Sequence, residues 1–264
     1  MLYISLLDDF YPVKTFFTVK EGGFSTGSYA SLNMGANSGD DPETVKKNRD
    51  HAFRSSGIHI TGVSYPVQVH GDRIQVIRKN DTAGLNKAQN SLPYDVFPFP
   101  DTDAAVTDMP GMLLTSLQAD CIPVWLYDSE KNIAGLAHAG WRGTRADIAA
   151  KTLSCMSREF GTKAGDVTAV IGPGIGSCCF EVGTEVFESF RQMLPDYAGD
   201  FARKGRPGKY MLDLKKINHI LLERAGAGRI YESGLCTCCR DDLFFSYRRD
   251  GFATGRMCAG ICLI

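Results

Sequence analysis

Three residues with metal-binding side chains lie in short motifs that are typical of functional sites. His70 lies in the segment QVHGDR, Cys121 in QADCIP and His138 in LAHAGWRG. Two imidazoles and one thiolate are good ligands for a divalent transition metal, with zinc as the leading candidate. Three protein ligands leave one tetrahedral position open for water or substrate, which is the arrangement of a catalytic site. The spacing adds little, since no pair of these ligands has a CxxC or HxxxH spacing.

Two carboxylates lie next to these ligands in the sequence. Asp120 directly precedes Cys121, and Asp72 follows His70 by two residues. Either carboxylate is a candidate for moving a proton during catalysis, alongside Cys121 and His70 themselves. A rival interpretation needs no metal, because His138 could activate Cys121 as the nucleophile of an amidase or deamidase. We favour the metal, since His70 is superfluous to a cysteine–histidine dyad and necessary to a metal site.

Arg49 and Asn48 are candidates for binding a polar or anionic substrate. A helix is predicted to begin at residues 40–43, where Asp-Asp-Pro-Glu forms a start signal, and to end near residues 56–57. Its spacing places Arg49 and Asn48 on the apolar face of that helix. A charge that points into a core needs a partner or a ligand. Arg49 is therefore expected either to pair with a structural carboxylate or to bind substrate.

Two glycine-rich turns each follow a predicted strand and precede a predicted helix. Residues 139–144 include Gly140 and Arg142, and residues 171–177 form the second turn. Backbone N–H groups in such turns can bind an anion, and Arg142 adds a charge to the first. Neither turn matches GxxxxGK[ST] or GxGxxG, so nucleotide binding by either standard fold is not expected. The second turn is equally well explained as an ordinary tight turn.

The composition bounds the class of protein. The 264 residues are 44% hydrophobic and 22% charged, enough to bury the core of one large or two small domains. A net charge of -1 gives no electrostatic footprint for nucleic acid or an anionic membrane. The first nine residues lack the basic start of a signal peptide, and no apolar run approaches the ~20 residues of a membrane span. The nine cysteines are then expected to be reduced thiols of a cytoplasmic protein.

Short apolar segments and helical patterns alternate irregularly, which predicts an α+β fold with mostly mixed or antiparallel sheets. A stretch from about 81 to 100, rich in Asn, Ser and Pro, is predicted to be a loop. Besides the helix over residues 40–57, helices are predicted at Arg145–Phe160, Gly183–Leu194 and Asp213–Arg224. Strands are predicted at Asp103–Thr107, Met112–Gln118, Pro123–Tyr127, Ile133–Ala137, Val167–Ile171 and Phe244–Arg248.

Five motifs in order resemble the YfiH/LACC1 family, whose members are labelled polyphenol oxidase or laccase, purine nucleoside phosphorylase and peptidoglycan editing factor. The motifs are QVHGD, ADCIPV, AHAGWRGT, IGPGIGSCCFEVG and the tail CTCC…FFSYRRDG-ATGRM. The resemblance runs from about Gly22 to the C-terminus. It implies one α+β domain over residues 1–264, with layered mixed sheets and flanking helices, grouped with the CNF1/YfiH-like cysteine hydrolases. It also implies zinc held by His70, Cys121 and His138.

The activity implied by the resemblance is phosphorolysis of adenosine, inosine, guanosine and methylthioadenosine, together with deamination of adenosine. The partners are then a purine nucleoside and phosphate, and the chain is expected to be a monomer or a weak homodimer. Arg49, Arg142 and the turn at Gly140 would hold phosphate. Members usually have Thr-Arg before the first Gly-Gly, whereas Lys20 stands here; it keeps the charge and loses the planar fork. A second implied activity, an amidase acting on a cytoplasmic muropeptide precursor, fits the same site.

The laccase label can be tested by counting ligands. A multicopper oxidase needs paired His-x-His motifs for its trinuclear copper cluster. The chain has five histidines, at positions 51, 59, 70, 138 and 219, and no such pair. A true laccase is therefore excluded, although copper could replace zinc at the His/Cys site. The other three histidines are expected at the surface or packed on helices.

The remaining cysteines could form a second metal site. Apart from Cys155, they are Cys178, Cys179, Cys236, Cys238 and Cys239, with Cys258 and Cys262 near the end of the chain. CC and CxC pairs hold a tetrahedral metal less well than CxxC pairs, so we expect small buried thiols instead. A scaffold protein with a structural metal is a further alternative, which predicts a closed four-ligand site and no turnover. It is disfavoured because only three ligands lie in comparable motifs.

Overall fold

The computed structural model describes residues 3–4, 12–79 and 93–264. Most of the N-terminal segment that was compared with a signal peptide, and residues 81–92 of the predicted loop, lie outside these ranges. The described strands are β1 (Tyr3–Ile4), β2 (Val13–Thr18), β3 (Gly62–Pro66), β4 (Ile74–Ile77), β5 (Asp95–Phe99), β6 (Ala104–Thr107), β7 (Met112–Gln118), β8 (Ile122–Asp128), β9 (Ile133–Ala139), β10 (Val167–Ile171), β11 (Glu181–Gly183), β12 (Ala202–Lys204), β13 (Lys209–Leu212), β14 (Arg229–Glu232) and β15 (Met257–Leu263). The described α-helices are α1 (Pro42–Ser55), α2 (Trp141–Arg145), α3 (Ile148–Phe160), α4 (Thr184–Met193), α5 (Ala198–Phe201), α6 (Leu214–Arg224) and α7 (Tyr247–Asp250).

Two six-stranded sheets and one small sheet form the framework. The first sheet has the order β1-β2-β15-β7-β3-β5 and the second has the order β14-β10-β8-β9-β6-β4. Each large sheet is antiparallel at its centre, as in β8–β9, and has parallel pairs nearer an edge, as in β3–β5 and β4–β6. The small sheet has the order β11-β13-β12. The predicted α+β class with mixed sheets is confirmed.

Alternation along β8 shows how the two large sheets pack. Trp125 and Tyr127 belong to a core shared with strands of the first sheet, whereas Val124 and Leu126 belong to the core on the opposite face. Successive side chains of a strand point to opposite faces, so a strand buried on both sides is apolar throughout. Every residue of β8 is buried. The second sheet is therefore an inner layer.

Helices cover the outer faces of the two sheets. α3, α4 and α6 contribute to the core on the outer face of the second sheet. α1 contributes Ala52 and Phe53 to the core on the outer face of the first sheet. The start of α1 is fixed by Asp41, whose carboxylate accepts a hydrogen bond from the Thr44 N–H, with Pro42 at the first helical position. The chain thus has four layers, and no described helix is long and apolar enough to cross a membrane.

Most predicted elements are confirmed, with two errors. The strands Met112–Gln118 and Val167–Ile171 have the predicted bounds, and three others differ by at most two residues. The strand predicted over Phe244–Arg248 is wrong, because Ser246 caps the short helix α7 and its side chain accepts from the Arg249 N–H. The loop predicted to reach residue 100 is also wrong in its last part, where β5 pairs in parallel with β3.

Candidate active site

Three connections bring the candidate ligands together. His70 lies between β3 and β4, Cys121 lies in the turn between β7 and β8, and His138 is the next-to-last residue of β9. Because β8 and β9 pair with Ile122 opposite Ala139, Cys121 is placed beside the end of β9. The candidate ligand atoms of the three residues all lie within 4.8 Å of one another. The two imidazole rings meet edge to face with their centroids 5.0 Å apart.

A buried carboxylate, Asp103, fixes the segment that carries His70. One oxygen accepts from the His70 N–H at 2.9 Å, and the other accepts from the N–H groups of Val69 at 3.1 Å and Gly71 at 2.9 Å. His70 itself has φ 62, in the left-handed region that histidine enters more readily than most residues. The carboxylate therefore holds a sharp turn that aims the imidazole of His70 at Cys121.

Asp103 also orients the second imidazole. Its Oδ1 lies 2.8 Å from Nδ1 of His138, and both side chains are almost fully buried. Burial acts to raise the pKa of Asp103, but the hydrogen bonds from His138 and from backbone N–H groups outweigh burial and lower it. Because Nδ1 of His138 contacts Asp103, Nε2 is the ring nitrogen on the side of Cys121. A carboxylate behind a ligating histidine is a usual arrangement in metal sites.

The electrostatics favour a thiolate at Cys121. Burial acts to raise the pKa of the Cys121 thiol, but the charge of His138 and hydrogen bonds from His138 and His70 lower it to about 6. Burial acts to lower the pKa of His138, whereas Cys121 and Asp103 raise it to about 9. The thiolate is the form of cysteine that binds metals and acts as a nucleophile. The pair is therefore prepared for either chemistry.

Gly140 shows that the space between the ligands is kept clear. A Cβ atom added at Gly140 would lie 2.9 Å from Cys121 Sγ and 3.1 Å from His70 Cδ2. Its φ of -68 is accessible to any residue, so the backbone does not require glycine here. Two nitrogen donors and one sulfur donor around a space that a methyl group would fill fit a zinc-type ion with one open position.

The three ligands line a cavity of about 1230 Å³. Its walls carry both polar and aromatic side chains. Five of them are cationic, namely Lys46, Arg49, Arg142, Arg248 and Arg256, and two are acidic, namely Asp120 and Glu181. Glu181 is itself paired with Arg206. The cavity therefore has an excess of positive charge, which favours an anionic ligand.

Arg49 and Arg256 flank the same segment of this wall. Arg49 donates from Nε to the Met34 carbonyl oxygen at 2.8 Å, and its guanidinium lies 4.5 Å from the centroid of the Tyr65 ring. The Met34 N–H donates to the Arg256 carbonyl, and a Cβ added at Gly35 would lie 2.5 Å from Arg256 Cγ. Within the described ranges Arg49 makes these contacts and no ion pair with a carboxylate. Pairing with a structural carboxylate is not seen among the described residues, and substrate binding by Arg49 stays a prediction.

The cavity does not include every residue predicted for the site. Asn48 is fully buried and bonds to the Phe24 N–H, Ser25 Oγ and Asn33 O, so it ties a loop to α1 instead of facing the cavity. Lys20 does not line the cavity and lies near Asp242, whose pKa its charge helps to lower.

Asp72 is exposed at the surface, where its carboxylate pairs with Lys151 of α3 and does not reach the cavity. Arg142 lies at the cavity, and its guanidinium is 4.3 Å from the centroid of the Trp141 ring. Gly140 does not line the cavity but lies against Cys121 and His70.

Asp120 is at the cavity, but its carboxylate is occupied. Its oxygens accept from Thr237 Oγ1 at 2.7 Å, Ser246 Oγ at 3.0 Å and the Arg248 N–H at 2.6 Å. A carboxylate with three donors is better suited to holding segments together than to carrying a proton. The geometry therefore favours a positioning role for Asp120.

Sequence reasoning missed Asp103 and Arg256. Asp103 is 33 residues from His70 and 35 residues from His138 in the sequence, so no local motif reveals these contacts. One signal was available, since Asp103 is the acidic first residue of a predicted strand that is otherwise apolar or neutral. Arg256 lies in the tail motif that was quoted for the family resemblance, and its sequence neighbours gave it no chemical role.

The three other histidines lie apart from the site, as predicted. His51 packs edge to face on Phe24 at 5.5 Å, His219 Nδ1 lies 2.7 Å from Glu232 Oε1, and His59 is exposed. All five histidines fall within the described ranges, so none remains to build a cluster of several coppers with His70 and His138.

Comparisons with known proteins agree with the motifs. The family described as multi-copper polyphenol oxidoreductase laccase matches residues 14–264. The chain is 39% identical over 246 residues to the purine nucleoside phosphorylase YlmD of Geobacillus stearothermophilus, covering 92% of this chain and 88% of that one. It is 32% identical over 252 residues to adenosine deaminase RL5 of an unknown prokaryotic organism, covering 94% and 93%. The crystal structure of the hypothetical protein YfiH of Bacillus licheniformis matches with a TM-score of 0.87 at 36% identity, covering 96% of this chain and 93% of that one. The chain therefore belongs to the multi-copper polyphenol oxidoreductase laccase family, together with the YfiH and YlmD proteins.

Proposed function

We propose that the chain is a zinc-dependent purine nucleoside phosphorylase that also deaminates adenosine. The observation that carries the proposal is the His70, Cys121 and His138 group on the wall of a large cationic cavity. Relatives that bear the names purine nucleoside phosphorylase and adenosine deaminase support the same reaction classes. Adenosine, inosine, guanosine and methylthioadenosine are the substrates we propose.

His70, Cys121 and His138 would hold the metal, and their donor types favour zinc. A bound zinc ion supplies a Lewis acid and lowers the pKa of a bound water toward about 7. Asp103 keeps Nδ1 of His138 protonated and leaves Nε2 free as a donor atom. The lowered pKa of Cys121 keeps the thiolate available at neutral pH. The family name suggests copper in place of zinc, but the positions of the histidines do not support a multicopper oxidation site.

The cationic side chains would bind phosphate. Arg49 and Arg256 approach the cavity beside the Met34–Gly35 segment, and Arg142 approaches it from the side of His138. A guanidinium presents parallel N–H donors that match a phosphate oxygen pair. Phosphate held there can be directed at the sugar carbon that loses the purine. Desolvation by the surrounding walls strengthens these charge interactions.

Exposed aromatic rings at the cavity would cover the purine. Tyr247 and Phe252 line the cavity and are 52% and 68% exposed, respectively. Phe180 also lines it and is buried. Large exposed rings beside a binding site are uncommon unless a ligand covers them. A planar base gives such rings a face to stack on.

A metal-free Cys/His hydrolase is a second candidate, and the Cys121–His138 pair specifically favours it. A thiolate beside a protonated imidazole is the resting state of a cysteine nucleophile. A muropeptide amidase is a third candidate, because a cavity of about 1230 Å³ is larger than a nucleoside needs. The amidase leaves nucleosides unchanged and the metal-free hydrolase works without zinc, so a substrate test combined with metal removal separates both from the leading proposal.

The deciding experiment combines metal analysis with product detection. Purified protein is incubated with adenosine, with and without phosphate, and bases and sugars are quantified by mass spectrometry. Adenine with ribose 1-phosphate, formed only when phosphate is present, establishes phosphorolysis; inosine formed regardless of phosphate establishes deamination. Bound zinc with no nucleoside conversion refutes the proposal and supports the amidase. Conversion that survives complete metal removal refutes the metal and supports the Cys121–His138 pair.

A further inference from the structure

A second group of metal-ligating side chains lies outside the active site. Cys178, Cys179, Cys236 and Cys239 place their four sulfur atoms within 4.8 Å of one another. The Sγ atoms of Cys178 and Cys179 each lie 3.4 Å from that of Cys239. Cys178 and Cys239 are exposed and the other two are half-buried. The expectation of small buried thiols is therefore wrong for these four and for the half-buried Cys238, although it is confirmed for Cys258 and Cys262.

Two matching turns bring the four thiols to one point. A parallel bridge joins Gly174 to Cys236, and each strand-like segment then enters a turn. In one turn the Phe180 N–H donates to Gly176 O, and in the other the Arg240 N–H donates to Cys236 O. Because the turns run side by side in the same direction, each delivers a pair of cysteines to the same side.

The sulfur spacing matches a single tetrahedral ion. With a Zn–S distance of about 2.3 Å, the sulfurs of a tetrahedral site lie about 3.8 Å apart. A disulfide would need about 2.05 Å, much less than the 3.4 Å between Cys178 and Cys239. Cys236 and Cys239 also have a CxxC spacing within the CTCC run, the spacing favoured for zinc clamps. A cluster of several metal ions would hold its ligands farther apart than this group does.

Three cationic side chains lie beside the thiols, and one of them, Arg249, is paired with Asp250. Lys215 is only 5% exposed, and its ammonium group donates to Leu235 O. Arg248 donates to Cys179 O at 3.2 Å, and Arg249 donates to Cys238 O at 3.1 Å. The negative charge near this buried ammonium group comes from the carboxylates of Asp213 and Glu232 as well as from the thiols of Cys236 and Cys178, so Lys215 is compatible with thiolates at this point but does not require them.

A backbone hydrogen bond and a glycine complete the surroundings. The Gly176 N–H donates to Cys236 Sγ at 3.2 Å, as an N–H group does to a metal-bound thiolate. A Cβ atom added at Gly176 would lie 3.2 Å from Cys178 Sγ and 3.2 Å from Cys236 Cβ, so glycine leaves room for the sulfurs to converge.

From this geometry we infer that Cys178, Cys179, Cys236 and Cys239 bind one structural zinc ion. Four protein ligands close the coordination sphere, so this site stabilises structure and does not catalyse. It joins the turn before β11 to the turn after β14. The first turn leads into Phe180 at the cavity, and the second carries Thr237, which donates to Asp120. The zinc would therefore hold one wall of the cavity in place.

The test removes the other metal site first. In a Cys121→Ala/His70→Ala variant, only one ligand of the active-site group remains. Zinc analysis of this variant, purified with reductant and zinc, should give about one ion per chain. X-ray absorption at the zinc edge should show four sulfur neighbours at about 2.3 Å and no nitrogen. After stripping, adding zinc should raise the midpoint of thermal unfolding by several degrees, because zinc binds only the folded site.

A complementary variant and a matched control identify the ligands. Cys178→Ser/Cys239→Ser in the otherwise unchanged chain should lose the all-sulfur zinc. Cys238→Ser alters the same turn and should retain it. The inference is overturned by an active-site variant that binds no zinc, by nitrogen neighbours at its zinc, or by bound iron in its place. A Cys178–Cys239 disulfide in non-reduced peptide digests, or loss of the zinc in Cys238→Ser, also overturns it.

Discussion

Replacing Asp103 with asparagine tests how the active-site ligands are positioned. The carboxylate is 1% exposed and accepts four hydrogen bonds. Oδ1 serves His70 N–H and His138 Nδ1, whereas Oδ2 serves the N–H groups of Val69 and Gly71. An asparagine of nearly the same shape offers one acceptor oxygen and one NH₂ donor. It can therefore satisfy only one of the two pairs.

Both orientations of the asparagine are unfavourable. If its NH₂ group faces His138, Nδ1 must accept a hydrogen bond and therefore carries no proton, which forces the tautomer with Nε2–H and blocks the atom that would bind metal. If the NH₂ group faces Val69 and Gly71, two partly buried N–H donors lose their acceptor, at up to about 1–3 kcal/mol each. Loss of such a carboxylate behind a histidine ligand typically lowers metal affinity 10- to 100-fold. We expect Asp103→Asn to weaken zinc binding by that factor, or about 1.4–2.7 kcal/mol.

The assay is competition for zinc against a chelator of known affinity, at fixed pH, with nucleoside turnover measured on the same samples. Asp108→Asn is the matched control, because Asp108 directly follows the strand that Asp103 precedes and, among the described residues, its carboxylate accepts from the exposed Lys79 N–H and does not contact His70 or His138. The control should keep the affinity of the unaltered chain. An Asp103→Asn chain that binds zinc as tightly as the control and keeps its turnover refutes the assignment of Asp103 as the orienting group.

Three further predictions follow from individual side chains. Arg49→Ala should raise the KM for phosphate about 10- to 100-fold in steady-state kinetics, since a charge-assisted hydrogen bond contributes about 1.5–3 kcal/mol; an unchanged KM assigns Arg49 to structure. Gly140→Ala should lower zinc affinity in chelator competition, because the added Cβ would lie 2.9 Å from Cys121 Sγ. The thermal midpoint should stay near that of the unaltered chain. Burial raises the pKa of Asp147 from 3.8 to about 6, and Lys151 only partly offsets it. The folded state therefore holds a proton that the unfolded state releases as pH rises from about 4 to 6, and stability falls across that window. In urea denaturation at pH 7, Asp147→Asn should raise the free energy of unfolding by about 1–2 kcal/mol, and at pH 4 it should not change it. An equal gain at both pH values contradicts the titration.

Strong local signals in the sequence predicted the elements that the structure confirms. α1 was predicted from its Asp-Asp-Pro start, and the cap at Asp41 is the physical cause of that signal. The strand predicted over Phe244–Arg248 failed because a long-range partner overrode strand propensity. The Asp120 carboxylate captures the Arg248 N–H, and Ser246 caps the turn that results. The contact with Asp120 is not visible in a local pattern, whereas the Ser246 cap is a local signal that the strand prediction did not use.

The same division applies to the candidate site. His70, Cys121 and His138 were predicted together because each lies in its own recognisable motif, and the structure places them together. Asn48 was predicted for substrate from helical spacing alone, which gives the face of a helix but not what packs against it. The cysteine group was disfavoured because its pairs were considered separately. The CxxC spacing of Cys236 and Cys239 was overlooked, and the bridge that brings Cys178 and Cys179 to the same point is not visible in the sequence.

The Asp120–Cys121 peptide explains how the two cysteine-containing sites depend on one another. Asp120 has φ 89, a conformation that costs a non-glycine residue about 1–3 kcal/mol. Its carbonyl accepts from the Ile175 N–H at 2.8 Å, and its carboxylate accepts from three groups that include Thr237 Oγ1. Those bonds offset the strain only while both turns stay in place, which is what zinc at the four thiols would ensure. Loss of that zinc should therefore loosen Asp120 and displace the sulfur of the next residue, Cys121. The four-thiol site would in this way support the geometry of the candidate active site.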